Sequence, residues 1–185
     1  MLYTGKGDQG TSKLFNTEKG VRVSKSALVF EVLGTLDELN SFLGLARASV
    51  NEKKYALPDG KLLSDAVLDL QQDMFIIQAE IAGADMKIQS EKIVHLETLT
   101  TTIENILPPI KTFFIPGATE AGARFDVTRT VARRLERLIV AYQEENNLVD
   151  AETLRYLNRL SSVLYALARL VNHIEDKGEQ APTYS

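Results

Sequence analysis

Four arginines, Arg129, Arg133, Arg134 and Arg137, fall within nine residues, with Glu136 among them. On a helix advancing 100° per residue, Arg129, Arg133, Glu136 and Arg137 share an arc of about 100°. Val131, Leu135, Leu138 and Tyr142 share an arc of about 60° on the other side, and Arg134 sits near its edge. Such a helix buries its leucines and presents guanidinium forks, which match phosphate oxygens two at a time. Glu136 is placed to orient an arginine or to reach a Mg²⁺ through its water shell. The alternative is that these arginines pair with carboxylates on other helices. Asp37 or Glu38 suits that role, and Asp37 with Arg129 is the candidate structural ion pair.

A second anion-seeking feature lies at the start of the chain. Gly5-Lys6-Gly7-Asp8-Gln9-Gly10 spells G-x-G-x-x-G. No buried strand precedes it and no helix comes directly after it, so it is not a dinucleotide fingerprint. The phosphate-loop pattern G-x-x-x-x-G-K-[ST] is absent as well. The physical content that remains is backbone N–H groups free to approach an anion, with Lys6, Thr11, Ser12 and Lys25 as added donors. A loose glycine-rich arm is the other reading.

Other polar residues are less specific. His95 has no evident partner on its helix, and His173 suits a helix C-terminus. Asn158, Ser162, Tyr165 and Arg169 form a polar stripe beside an apolar seam on the last helix, where they either specify helix packing or meet a ligand. Phe113-Phe114 ahead of Ile115-Pro116-Gly117 is either core or the wall of a pocket.

The elements that must hold these residues are helical. Residues 1–24, rich in Gly, Thr, Ser and Lys, read as a long loop, with Ser24 or Ser26 as the cap of the first helix. Leu28, Val32, Leu36, Leu39, Leu43 and Ala46 mark that helix to about residue 48. After a break at 51–60, Leu62, Leu63, Ala66, Leu70, Phe75, Ile77 and Ile81 mark a second. A third spans about 91–106 and stops at Pro108-Pro109. An extended stretch over 111–117 leads to the arginine helix, from about 119 to 146. The fifth begins near Asp150, its N-cap, and carries Leu157, Leu160, Leu164, Leu167 and Val171 to about residue 176. Residues 177–185 read as a mobile tail. The expected fold is all-α: a single domain over 1–185, an antiparallel five-helix bundle with a long N-terminal loop.

Composition narrows the function classes. The 185 residues contain no cysteine, so thiol nucleophiles, disulfides and zinc fingers are excluded, and a cytoplasmic location fits. Two histidines exclude a multi-histidine metal site. No apolar run approaches the ~20 residues of a membrane span, and no secretory leader is evident. The net charge of −4 argues against a nucleic-acid partner. Yet residues 1–25 carry five cations against two carboxylates, and so do residues 124–137. Two cationic segments on an acidic body suit a focused anion site, or else solvated helix faces.

Taken in order, these segments resemble the PduO-type ATP:cob(I)alamin adenosyltransferases. Tyr3-Thr-Gly-Lys-Gly-Asp-Gln-Gly-Thr11 is similar to that family's Y-T-x-T-G-D-x-G-T, and Val23-Ser24-Lys25 to the end of its R-V-S-K. Gly34-Thr-Leu-Asp-Glu-Leu-Asn-Ser41, Phe113-Phe-Ile-Pro-Gly117, Arg129-Thr-Val-Ala-Arg-Arg-Leu-Glu-Arg137 and Tyr156-Leu-Asn-Arg-Leu-Ser161 resemble four further motifs. Lys6, Asp126 and Ser162 stand where the family has Thr, His and Asp, and Ala118 where it has Gly.

The resemblance implies a transferase that moves the 5′-deoxyadenosyl group of ATP to the cobalt of cob(I)alamin, giving adenosylcobalamin and triphosphate. It implies ATP contacts at Thr4, Gly5, Lys6, Gly7, Thr11, Ser12, Lys25, Arg133, Arg134, Glu136, Arg137 and Asn158. Arg133 and Arg137 would be catalytic, and Phe113 would lie under the corrin. It further implies Mg²⁺ with unassigned ligands and a homotrimer with ATP between subunits. A reductase and an adenosylcobalamin-dependent client enzyme would be partners. A non-catalytic ATP or corrinoid carrier, or a purely structural helical assembly, is the alternative.

Overall fold

A computed structural model describes residues 3–52 and 54–184. Met1, Leu2 and Ser185 of the expected loop and tail, and Lys53 of the expected break, lie outside the described residues.

The order is β1 (Thr11–Ser12), β2 (Val23–Ser24), α1 (Leu28–Ser49), α2 (Leu63–Ile81), α3 (Ser90–Glu104), α4 (Glu120–Asn146) and α5 (Ala151–Ile174). The five helices match the apolar spacing. Val32, Leu36, Leu39, Leu43 and Ala46 of α1 are buried, as are Ile93, Leu96, Leu99 and Ile103 of α3. α1 packs against α2 and α4, and α5 packs against α4 and α3. α5 is the central element, because from Val163 to Asn172 only Tyr165 escapes full burial.

Short connections set the directions. The turn between α4 and α5 starts at Asn147, whose φ of 51° closes α4 in a left-handed cap. Gln143 then fastens the turn: its amide donates to Asn147 Oδ1 at 2.9 Å and its oxygen accepts from the Val149 N–H at 2.6 Å. Asp150 caps α5, accepting from the Glu152 N–H at 3.0 Å.

Close packing fixes the other end of α4. Thr119 caps it, accepting from the Gly122 N–H at 2.9 Å and donating to Asn172 Oδ1 at 2.7 Å. A Cβ on Gly122 would lie 2.2 Å from Asn172 Oδ1, so only glycine lets the two helices approach here.

Three expectations need correction. Residues 1–24 are not wholly irregular, since β1 and β2 pair antiparallel with Thr11 opposite Ser24. Neither Ser24 nor Ser26 caps α1: their hydroxyls meet each other at 2.8 Å, and the N-cap position is Ala27. Phe75 is 59% exposed, and Met74, four residues after Leu70 rather than five, holds the core position. In the segment after α5, Glu179 pairs with Arg169 and Gln180 accepts a backbone hydrogen bond from Ile115.

Candidate functional site

A cavity of about 990 Å³ opens between the C-terminal end of α3, the segment after it, α4 and α5. Thr100 and Glu104 of α3, Leu107, Phe113 and Phe114 of the next segment, Arg129 and Arg133 of α4, and Ser162 and Tyr165 of α5 line it. Helical spacing explains the arginines. Arg129 and Arg133 are one turn apart on the face opposite the buried Val131, Leu135 and Ile139. Leu138, expected in that core stripe, is only half-buried, and Ile139 takes its place.

The floor of the cavity is charged and buried. Arg169 is 2% exposed, and its Nη2 donates to Asp126 Oδ2 at 2.7 Å. Arg129 approaches the other oxygen of Asp126 at 3.2 Å. The Arg169 guanidinium lies 4.8 Å from the Tyr165 ring and 5.8 Å from the Phe114 ring. A buried guanidinium is tolerated only when carboxylates and ring faces surround it in this way.

The expected ion pair between Asp37 and Arg129 does not form within the chain. Asp126 sits one turn before Arg129 on the same helix and takes its guanidinium. Asp37 is exposed and has no ion-pair partner among the described residues. Its neighbour Glu38 pairs with Arg134 instead.

Of the other predicted residues, Asn158 meets Glu136, and Arg133 and Arg137 lie a turn apart on the same helix. Asn158 Nδ2 donates to Glu136 Oε1 at 2.9 Å, bridging α5 to α4. Arg137 donates to the Arg133 carbonyl at 2.9 Å, and both side chains are exposed. Arg159 holds the other end of Asn158, donating to its Oδ1 at 2.7 Å.

The N-terminal loop is shaped independently. Arg22 clasps Thr11, donating to its hydroxyl at 2.7 Å and its carbonyl at 2.6 Å. Lys25 reaches across to the Gly7 carbonyl at 3.2 Å, and its backbone N–H bonds the Gly10 carbonyl at 2.8 Å. Gly10 turns the chain with a φ of +73°. A Cβ on Gly7 would stand 3.0 Å from Lys25 Nζ, so the lysine tip packs directly over the Gly7 backbone. Thr4, Gly5 and Lys6 are exposed, Ser12 half-buried. No hydrogen bond or ion pair joins residues 3–25 to α4 among the described residues.

The geometry thus holds two separate anion-seeking surfaces and a large cavity with an aromatic mouth. The Cobalamin adenosyltransferase family model matches residues 2–171. The chain belongs to that family. The corrinoid adenosyltransferase of Bacillus subtilis is 35% identical over 175 residues, covering 92% of this chain and 86% of its own length. The corrinoid adenosyltransferase PduO of Citrobacter freundii is 38% identical over 179 residues. The chain spans about half the length of that relative, 50%, while 93% of the chain is matched. Among solved structures, a variant PduO-type ATP:corrinoid adenosyltransferase from Lactobacillus reuteri, complexed with cobalamin and ATP, superposes with a TM-score of 0.89. It shares 26% identity over 100% of this chain and 98% of that one.

Within this adenosyltransferase fold, the sequence had hinted at the buried floor only obliquely. Arg169 interrupts an apolar run, Leu167-Ala168-Arg169-Leu170-Val171, and a charge inside such a run demands a buried partner. Asp126 and Glu179 are those partners, and neither stands near it in the chain.

Proposed function

We propose that this chain transfers the 5′-deoxyadenosyl group of ATP to the cobalt of a cob(I)alamin-type corrinoid, releasing triphosphate. The observation that carries the reading is the arginine face of α4 opening onto the large cavity in a chain of this family. Cobalt(I) in the corrinoid substrate is the nucleophile. It attacks the ribose C5′, the C5′–O5′ bond breaks, and the electron pair leaves on the triphosphate. The cobalt is oxidised formally by two electrons. No side chain has to be activated for attack, so the chain's task is alignment and neutralisation of the leaving charge.

Arg133 and Arg137 neutralise that charge, helped by Lys6 and Lys25. Thr4, Gly5, Gly7, Thr11 and Ser12 cradle the phosphates through hydroxyls and backbone N–H groups. Glu136, oriented by Asn158, faces the nucleotide side of α4, and Arg134 steadies α4 against α1 through Glu38. Phe113, exposed at the cavity mouth, lies under the corrin and disfavours the lower axial ligand of cobalt, easing reduction to cobalt(I).

The donor set suits Mg²⁺ carried on the nucleotide. No three carboxylates or histidines converge among the described residues, and Mg²⁺ commonly rides on substrate phosphates while keeping its waters. Glu136 is the carboxylate of the arginine face that would meet that water shell.

The separation of the N-terminal loop from α4 within one chain supports a site shared between copies, and with it a homotrimer. A one-electron reductase acting on cobalt(II) and a client enzyme that uses adenosylcobalamin complete the proposed setting.

The test is anaerobic. The protein is mixed with reduced cob(I)alamin, ATP and Mg²⁺, the visible spectrum is followed, and triphosphate is assayed. Protein-dependent adenosylcobalamin with stoichiometric triphosphate is expected. Tight ATP binding without product would replace the enzyme with a carrier.

A further inference from the structure

The segment that carries Phe113 has little to hold it. It contains Pro108, Pro109 and Pro116 and forms no regular element. Among the described residues, 108–117 make a single hydrogen bond, from the Ile115 N–H to the Gln180 carbonyl at 2.8 Å. That acceptor belongs to the C-terminal tail. The tail is itself fixed by Glu179, which lies 2.7 Å from Arg169 Nε and accepts from Asn172 Nδ2 at 2.7 Å.

Arg169 connects the two attachments. Its guanidinium packs against the Phe114 ring, next to Phe113, and pairs with Asp126. Asp126 also serves Arg129, so without Glu179 two guanidiniums would share one carboxylate at the cavity floor. Uncompensated charge in a buried site is costly, and a guanidinium in that position would turn toward water. Phe114 would lose its platform, and Ile115 its tether.

Resting on the function proposed above, we infer that Glu179 is a positioning residue for the corrinoid. It holds the tail as a strap, and the strap sets where Phe113 stands at the cavity mouth. The proposed nucleotide contacts, on the N-terminal loop, on α4 and at Asn158 of α5, make no hydrogen bond or ion pair with the tail among the described residues, so the effect falls on the corrinoid.

The test compares the full-length wild type with Glu179→Ala and with Glu179→Gln, which keeps the shape and the Asn172 contact if the alanine variant folds poorly. With pre-formed cob(I)alamin, Glu179→Ala raises the corrinoid KM about tenfold and leaves the ATP KM within about twofold; Glu179→Gln falls between. Amide exchange in the ligand-free protein provides a readout independent of turnover: Ile115 exchanges about tenfold faster in Glu179→Ala, with α4 and α5 unchanged. An unchanged corrinoid KM, or equal rises in both KM values, overturns the positioning role. An unchanged Ile115 exchange rate overturns the strap. A wild-type chain that makes no adenosylated corrinoid overturns the function instead, and Ile115 exchange still decides whether Glu179 holds the segment.

Discussion

Phe113 and Phe114 are neighbours in the chain and opposites in setting. Phe114 turns inward to lie 5.8 Å from the buried Arg169 guanidinium, whereas Phe113 is 78% exposed at the cavity mouth. An exposed phenyl ring beside a large cavity gains nothing from solvent and has a full face to offer a flat ligand. Phe113→Ala is therefore expected to leave folding intact. It should slow adenosylation from cob(II)alamin plus reductant at least about tenfold more than from pre-formed cob(I)alamin. Equal slowing in parallel assays would remove the axial-ligand role.

Arg133 is exposed and makes no ion pair among the described residues, so its guanidinium is free for an incoming phosphate. Arg133→Ala should lower kcat/KM by about a hundredfold or more, in the range seen when a preorganised charge stabiliser is removed. The thermal midpoint should move by less than about 2 °C, since no buried contact is lost. Steady-state kinetics with a melting curve on the same preparation checks both; unaltered kcat/KM would take Arg133 out of the reaction.

Tyr156 stabilises rather than reacts. It is fully buried, and its hydroxyl donates to Asp73 Oδ2 at 2.9 Å while Lys92 approaches the other carboxylate oxygen at 2.8 Å. Burial, and then the charge of Asp73, push the phenol well above its usual range, so it stays a donor. Tyr156→Phe leaves a buried carboxylate one partner short and should cost about 2 kcal/mol in urea unfolding. Turnover per folded chain should not change.

Asp150 carries a pH signature. The Glu152 N–H, and then Lys87, hold its carboxyl below the ordinary value of 3.8. A carboxyl with a depressed folded-state pKa contributes stability above its unfolded value and loses it as pH falls through the folded value. Asp150→Ala should cost about 1 kcal/mol at pH 7, and the gap to wild type should close as pH drops below the ordinary carboxylate range. Paired denaturant melts across that range measure it; a gap that persists in acid would mean the carboxylate charge is not what caps α5.

How far the sequence could be read depended on the range of the interaction. Helix positions follow from apolar spacing, a local property, and α3 and α5 carry the residues expected of them. The arginine face was legible for the same reason. Partner choice was not. Asp126, one turn before Arg129 on α4, and Asp37, on α1, each offer Arg129 a carboxylate, and the structure pairs it with Asp126, which is buried against Arg169. The contacts of the tail were invisible because its partners, Ile115, Arg169 and Asn172, stand in other segments. Phe75 misled because any aromatic near the right spacing reads as core.

Because the N-terminal loop stands apart from α4, two differently damaged chains could complement one another. In the arrangement proposed, each site takes its loop from one copy and its arginines from the next, a head-to-tail interface closed into a ring. A chain damaged at Lys25 and a chain damaged at Arg133 then repair one another when co-assembled. One pairing in four unites an undamaged loop with an undamaged helix, so an equal mixture should recover about a quarter of wild-type activity. Two individually inactive chains would thus restore activity together, in proportion to the product of their shares in the mixture.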